Sequence, residues 1–172
     1  MASFQTIDPD KMYKSIYEFP DHMTVAIKIG ESISLNKQYP DIKNVVVAGM
    51  GGSAIGGDVA RVISQNSCSV PIIVNRSYNI PEWVDSHTLV LASSYSGWTE
   101  ETLSAFTQCR DHNCPIIVLS GGGKITEYAK EFELDRVDIP TGLQPRAALG
   151  FSFSLILFLK AINLSTFDSI VK

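Results

Sequence analysis

The chain has 172 residues, of which 45% are hydrophobic and 19% are charged, a composition that predicts one folded domain and excludes intrinsic disorder. Its 14 basic and 18 acidic residues give a net charge of −4. This balance excludes nonspecific binding to nucleic acid or to an anionic membrane, because both need a surplus of basic side chains. An anionic ligand therefore has to be bound by a local site.

The cysteines and the apolar runs favour a soluble, cytoplasmic protein. Cys68, Cys109 and Cys114 form no CxxC pair, and their odd number is more typical of reduced thiols than of a disulfide framework. The N-terminal segment contains acidic residues and lacks the apolar core of a signal peptide. The longest apolar run, residues 147–159, is too short to span a membrane.

Helical and strand patterns alternate along the chain. The first 40 residues predict two helices, one starting near Pro9 with Asp8 as its cap, and one running from Asp21 toward Asn36 after an interruption at Pro20. Apolar runs then predict strands at 45–48, 71–74, 88–92, 115–119 and 134–139, and helices at 53–64, 99–110, 125–130 and 147–162. Continuous apolar strands between helices indicate an α/β fold, a three-layer α/β/α sandwich with a five-stranded parallel sheet.

Glycines dominate the loop after the first strand, residues 49–58. They allow the backbone to approach a ligand closely, and the helix predicted to start at Ser53 presents free N–H groups. The loop resembles a dinucleotide fingerprint, but the spacing fits only with Ala54 as the third small residue. The next strand also ends in Asn75-Arg76 rather than in a ribose-binding acid. The alternative is that the glycines serve only a tight turn and close helix packing.

Three hydroxyl residues, Ser94, Ser96 and Thr99, surround Gly97 just before the helix that follows the third strand. Hydroxyl donors and free helical N–H groups can bind a phosphate without a lysine. The alternative is ordinary capping by Thr99, which needs only one hydroxyl. The acidic pair Glu100-Glu101 is predicted to stabilise the first turn of the helix rather than to act in catalysis.

A single arginine, Arg146, precedes the very apolar last helix. It is either a solvent-exposed residue at a helix end or, together with the hydroxyl loop, a ligand for sugar oxygens or an oxyanion. The glycine-rich segment 120–124, which follows the fourth strand, is predicted to be a connector. Ligands of such folds bind beyond the carboxyl ends of the strands, where these loops lie.

Three segments together resemble the sugar isomerase (SIS) domain, and in particular that of the bifunctional phosphoglucose/phosphomannose isomerases. They are Gly49-Met50-Gly51-Gly52-Ser53, the segment 94–102 with the sequence SYSGWTEET, and Gln144-Pro145-Arg146. The resemblance implies a flavodoxin-like SIS fold for residues 41–172, the first of two such domains, with residues 1–40 as helices packed on it. It also implies aldose–ketose isomerisation of glucose 6-phosphate or mannose 6-phosphate with fructose 6-phosphate through an enediolate.

The same resemblance implies the roles of individual residues. It assigns the phosphate to Ser94, Ser96 and Thr99 with Gly97 in the same loop, the sugar to Gly51, Gly52 and Ser53, and the enediolate oxygens to Arg146. It implies no cofactor and no metal. The predicted partners are a sugar phosphate and either a second copy of the chain, as a homodimer, or a second SIS domain.

Two features depart from the family pattern. Trp98 stands where the family usually has asparagine, and no residue matches the glutamate base or the ring-opening histidine, which belong to the second SIS domain. His22, His87 and His112 are predicted to be exposed structural residues, and Asp58 an acid on a helix face. We therefore expect this chain alone to bind a sugar phosphate and to turn it over slowly or not at all.

Two other functions fit parts of the sequence. The first is a SIS module that binds a sugar phosphate without catalysis. A glutamate and a histidine elsewhere in the full gene, or on a dimer partner, would exclude this function. The second is a nucleotide-binding oxidoreductase, which would bind its cofactor at residues 49–58 but lacks the ribose-binding acid.

Overall fold

The computed structural model describes residues 7–9, 11–66 and 68–163, with side chains as far as residue 157. The outer parts of the predicted domain ranges, residues 1–6 and 164–172, lie outside the described residues. The helices are α1 (Met12–Tyr17), α2 (Phe19–Ser32), α3 (Gly51–Ser64), α4 (Glu100–Asp111), α5 (Gly123–Glu131) and α6 (Leu149–Asn163). The strands are β1 (Asn44–Ala48), β2 (Ile72–Asn75), β3 (Thr88–Ser94), β4 (Ile116–Ser120) and β5 (Asp135–Asp138).

The five strands form one parallel sheet in the order β2-β1-β3-β4-β5, which confirms the predicted architecture. The inner strand β1 aligns Val46 with Ile73 of β2 on one side and with Val90 of β3 on the other. All seven residues of β3 are buried. When a strand is covered on both faces, every side chain is shielded from water. Such a strand is therefore mostly apolar along its length and does not alternate apolar with polar residues.

Two cores separate on the two faces of the sheet because successive side chains of a strand point to opposite faces. Val45 and Val47 pack with Phe151 of α6 in one core, and α6 also packs on α2 and α3. Val46 packs in the other core with Phe106 of α4 and Ile125 of α5. The helices thus form the outer layers of an α/β/α sandwich.

The first two helices differ from the sequence prediction in their bounds. The Asp8 carboxylate accepts hydrogen bonds from the backbone N–H groups of Met12 and Tyr13, at 2.8 and 2.9 Å, at the start of α1. Pro20 does not interrupt a helix, because it lies in the first turn of α2, where a backbone N–H is not needed. Asp21 therefore lies inside the first turn of α2 and is not its cap.

A buried carboxylate, that of Asp135 on the edge strand β5, holds the connection between α2 and β1. It accepts hydrogen bonds from the backbone N–H groups of Asn36 (2.8 Å) and Lys37 (3.0 Å), from the Asn36 side chain (3.2 Å) and from the Tyr39 hydroxyl (2.7 Å). Burial opposes its ionisation, but these donors outweigh the burial and lower the pKa of Asp135 below its ordinary value.

The lowered pKa predicts an acid-sensitive contribution to folding. A carboxyl group whose folded pKa lies below its unfolded value of about 3.9 stabilises the protein above that value, and the contribution is lost as the pH falls through the folded pKa. The free energy of unfolding in urea, measured between about pH 6 and pH 2, should therefore fall more steeply in the natural chain than in the Asp135→Asn variant. Equal slopes would contradict the role given to this carboxylate.

Candidate functional site

A cavity of about 410 Å³ opens at the carboxyl ends of β1 and β3. These neighbouring strands flank the point where the chain order in the sheet reverses, which is where parallel α/β sheets bind ligands. The described residues that line the cavity are Met12, Met50, Gly51, Gly52, Ser53, Tyr95, Ser96, Thr99, Gln144, Pro145 and Arg146. The structure thus brings together the glycine loop, the hydroxyl loop and the arginine segment, which are distant in the sequence.

The N-terminus of α4 reaches this cavity without a side-chain cap. Thr99 occupies the N-cap position, but its side chain makes no capping hydrogen bond. Its hydroxyl is instead 2.9 Å from the hydroxyl of Ser94. Simple capping by Thr99, the alternative considered from the sequence, is therefore not what the structure contains. The first-turn N–H groups of α4 keep the partial positive charge of an uncapped helix end.

The members of the hydroxyl loop have different surroundings. Ser96 is exposed at the cavity, and its Oγ accepts a hydrogen bond of 3.2 Å from the backbone N–H of Trp98. Ser94 is buried, and its Oγ accepts a hydrogen bond of 3.1 Å from the backbone N–H of Gly97. Gly97 is also buried and packs against the backbone of Gly122. Ser94 and Gly97 thus lie behind the residues that line the cavity.

The glycine loop forms the facing wall. Helix α3 begins at Gly51, two residues before the predicted start, and its N-cap residue Met50 provides no side-chain cap. A Cβ atom added to Gly52 would lie 2.8 Å from the carbonyl oxygen of Pro145. Only a glycine allows that close approach, which brings the arginine segment beside the N-terminus of α3. Close helix packing, the alternative given for the glycines of this loop, therefore accounts for Gly52. Gly51, Gly52 and Ser53 all line the cavity as well.

Arg146 is exposed and is the only charged side chain among the described residues that line the cavity. The backbone before it is held by Tyr95, whose hydroxyl oxygen accepts a hydrogen bond of 3.0 Å from the N–H of Leu143. Tyr95 and Met12 of α1 were not singled out from the sequence. Strand alternation beyond Ser94 could have indicated Tyr95, but no local signal connects Met12 with this cavity.

None of the described lining residues carries a carboxylate or an imidazole. His87 and His112 contact the backbone carbonyl oxygens of Asp41 and Val84 through Nδ1, at 3.2 and 3.0 Å. His22 and His87 are partly buried rather than exposed as predicted, and the ring of His22 stacks on Phe151 of α6 at a centroid distance of 5.4 Å. These three histidines therefore have structural contacts away from the cavity wall.

Two acidic side chains outside the cavity wall, those of Asp58 and Glu100, have polar partners. Asp58 of α3 forms an ion pair with Arg76, which follows β2. The Oε2 of Glu100 accepts a hydrogen bond of 3.1 Å from the hydroxyl of Tyr78, a contact that raises the pKa of Tyr78. A carboxylate in the first turn of α4 also interacts favourably with the helix dipole. This placement agrees with the stabilising role predicted for Glu100.

The described part of the chain contains neither a cluster of metal-binding side chains nor a membrane-spanning helix. No three side chains of histidine, cysteine, aspartate or glutamate come together there as a metal site would require. None of the helices described is both long enough and apolar enough to cross a bilayer.

The fold and the site together define an α/β domain of the sugar isomerase (SIS) type. The C-terminal domain of glucosamine-fructose-6-phosphate aminotransferase from Francisella tularensis has this fold with a TM-score of 0.67 and 17% sequence identity, over 96% of this chain and 52% of that one. At this level of identity the likeness concerns the fold alone. No protein-family model matches the sequence.

Sequence comparison identifies closer relatives. The chain is 50% identical over 151 residues to the bifunctional phosphoglucose/phosphomannose isomerase of Caldicellulosiruptor bescii, covering 87% of this chain and 44% of that protein. It is 31% identical over 137 residues to the D-glucosamine-6-phosphate 4-epimerase of Sulfolobus acidocaldarius, covering 77% of this chain and 42% of that protein. The chain is thus a homologue of the bifunctional phosphoglucose/phosphomannose isomerases, which confirms the resemblance, and it spans less than half the length of these two relatives.

Proposed function

We propose that this chain is the phosphate- and sugar-binding part of an aldose–ketose isomerase. The reaction would interconvert glucose 6-phosphate or mannose 6-phosphate with fructose 6-phosphate through an enediolate. The observation that carries the proposal is the uncapped N-terminus of α4, which shares one cavity with Ser96, Thr99 and Arg146. The names of the homologues support the same substrate class.

The phosphate of the substrate would bind at the N-terminus of α4. Ser96 and Thr99 would donate hydroxyl hydrogen bonds to phosphate oxygens, and first-turn N–H groups would supply further donors. Ser94 would orient the Thr99 hydroxyl, since their oxygens are 2.9 Å apart. Gly97 would shape the loop from behind. This arrangement explains how a chain of net charge −4 would bind a dianion, because the positive potential is local.

The sugar would extend from the phosphate toward the N-terminus of α3, beside Gly51, Gly52 and Ser53. Arg146 would then stabilise the negative charge that develops on the enediolate oxygens. Isomerisation also needs a base that removes a proton from the carbon next to the carbonyl. None of the described lining residues can serve as that base, so we assign it to a second SIS domain or to a second copy of this chain.

The wider context of the chain follows from the same proposal. Residues 41–172 would be the first of two SIS domains, with the helices of residues 1–40 packed on it. Ile55, Val62 and Ile63 of α3 are exposed apolar side chains that a second domain or the partner of a homodimer would cover. The free thiols of Cys68, Cys109 and Cys114 are consistent with a cytoplasmic location.

A second candidate function is that of a module that binds a sugar phosphate without converting it. The absence of carboxylate and imidazole groups from the described cavity wall favours it. The two functions differ in what completes the site. An isomerase requires a glutamate and a histidine from another domain or subunit, whereas a binding module does not.

Substitution of Ser96 by alanine tests the phosphate site. We expect the affinity for fructose 6-phosphate to weaken by about 1–3 kcal/mol, because a hydroxyl that donates to a charged oxygen is lost. Titration calorimetry at constant ionic strength measures the effect, and arabinonate 5-phosphate serves as a mimic of the enediolate. Ser86→Ala is the control, since Ser86 is exposed in a cleft at the opposite end of the sheet. Unchanged affinity in Ser96→Ala would contradict the assignment.

A further inference from the structure

Two cysteines meet at the C-terminal end of α4, far from the candidate site. Asn113 adopts a left-handed conformation with a φ of 57°, and its N–H donates to the carbonyl of Arg110 at 2.9 Å. The N–H of Cys114 donates to the carbonyl of Cys109, also at 2.9 Å. These two bonds define a Schellman motif, in which the side chains at the positions of Cys109 and Cys114 contact each other.

Helix α5 ends in the same motif and provides an internal comparison. Glu133 has a φ of 51°, its N–H donates to Lys130 at 3.2 Å, and the N–H of Leu134 donates to Ala129 at 2.8 Å. The contacting pair is there Ala129 and Leu134, so an apolar contact suffices for the motif. In α4 both positions are cysteine, which the helix cap does not require.

The two thiols differ in their surroundings. Cys109 is completely buried, whereas Cys114 is 8% exposed and lines a surface cleft of about 360 Å³ at the amino ends of the strands. A hydrogen bond between the two thiols lowers the pKa of Cys114. The same contact, together with burial, raises the pKa of Cys109. The more accessible sulfur is therefore the more readily ionised one.

We propose that Cys109 and Cys114 form a dithiol that small-molecule disulfides oxidise reversibly to an intramolecular disulfide. The Cys114 thiolate attacks a disulfide RSSR, forms a mixed disulfide and releases RS⁻. Cys109 then loses its proton to solvent, and its thiolate attacks the Cys114 sulfur and displaces the second RS⁻. The protein loses two electrons, and RSSR is reduced to two thiols. This inference does not depend on the proposed function.

The third cysteine lacks this arrangement. Cys68 lies in the connection between α3 and β2, and its Sγ is 2.9 Å from the carbonyl oxygen of Val70. The other two cysteines of the sequence, Cys109 and Cys114, contact each other at the end of α4. An attack by Cys68 would therefore stop at the mixed disulfide, and the Cys68→Ser chain is a suitable background for the test.

The test uses the reduced full chain and the aromatic disulfide 5,5′-dithiobis(2-nitrobenzoate). In the Cys68→Ser background we expect release of two equivalents of the coloured thiolate, no retained adduct and a protein lighter by two hydrogens. Peptide mass spectrometry should locate the bond between Cys109 and Cys114, and dithiothreitol should reverse it. Adding Cys109→Ser should halve the release and leave the adduct on Cys114.

Two results would overturn the proposal. One is a stable adduct on Cys114 in the Cys68→Ser chain while Cys109 remains a free thiol. The other is failure of the native chain to react although the unfolded chain releases the thiolate. Circular dichroism establishes that each variant is folded. If the double variant does not fold, the mass of the oxidised Cys68→Ser chain decides by itself.

Discussion

Substitution of Gly97 by alanine is expected to reduce the free energy of unfolding by about 3 kcal/mol and to remove most of the affinity for sugar phosphates. Gly97 has a φ of 75°, and an added Cβ would lie 1.7 Å from the carbonyl oxygen of Gly122. The backbone of residue 97 fixes the position of the Cβ atom, and the oxygen belongs to the backbone of Gly122, so no side-chain rotation relieves the collision. The loop carrying Ser96 and Thr99 would have to separate from the start of α5.

Gly142→Ala is the matched control for this prediction. Gly142 also has a left-handed backbone, with a φ of 102°, but an added Cβ would have no atom within 4 Å. The two variants therefore share the conformational strain and differ in the collision. Urea unfolding and titration with fructose 6-phosphate measure stability and affinity in each. Equal losses in the two variants would show that the contact with Gly122 has no special importance.

Asp135→Ala is expected to cost about 3 kcal/mol of stability with little direct effect on the phosphate site. The carboxylate accepts hydrogen bonds from Asn36, Lys37 and Tyr39. Its removal leaves the Tyr39 hydroxyl buried without that acceptor, and the connection between α2 and β1 loses its contact with β5. Thermal and urea unfolding measure the loss.

The control for Asp135 lies on the same strand. Asp138 of β5 is exposed, and its carboxylate pairs with Arg136 at the surface, at 3.0 Å. Surface pairs of this kind contribute between about 0 and 1 kcal/mol, so Asp138→Ala should change stability little. A loss in Asp138→Ala as large as that in Asp135→Ala would mean that charge on β5, and not the buried network, stabilises the fold.

The central sheet could be predicted from the sequence because its strands are buried on both faces. A short apolar, β-branched run such as Val45 to Val47, followed by glycines, is typical of a buried strand that ends in a turn. Element ends were less predictable. Helix α3 begins at Gly51 rather than Ser53. Strand β3 continues to Ser94 rather than ending at residue 92, because Ser94 still pairs with Ser120 of β4. Pairing between strands is not encoded in either segment alone.

The candidate site, like the fold, could be predicted from the sequence only in part. Ser96, Thr99 and Arg146 could be singled out because hydroxyl groups before a helix and an arginine beside an apolar segment are local patterns. Met12 could not, since nothing near it in the sequence indicates that it lines a cavity with residues 50–53, 95–99 and 144–146. The different surroundings of Ser94 and Ser96 also depend on the packing of β3 against its neighbours.

Local chemistry thus determined the class of fold and the types of group at the site, because side-chain periodicity and helix-end hydroxyls act over a few residues. Only the tertiary structure decided that the N-termini of α3 and α4 open into one cavity with Arg146, and that Cys109 meets Cys114. The physical reason is that strand order and helix packing are collective. They follow from burying both faces of the sheet at once, and no single segment contains that information.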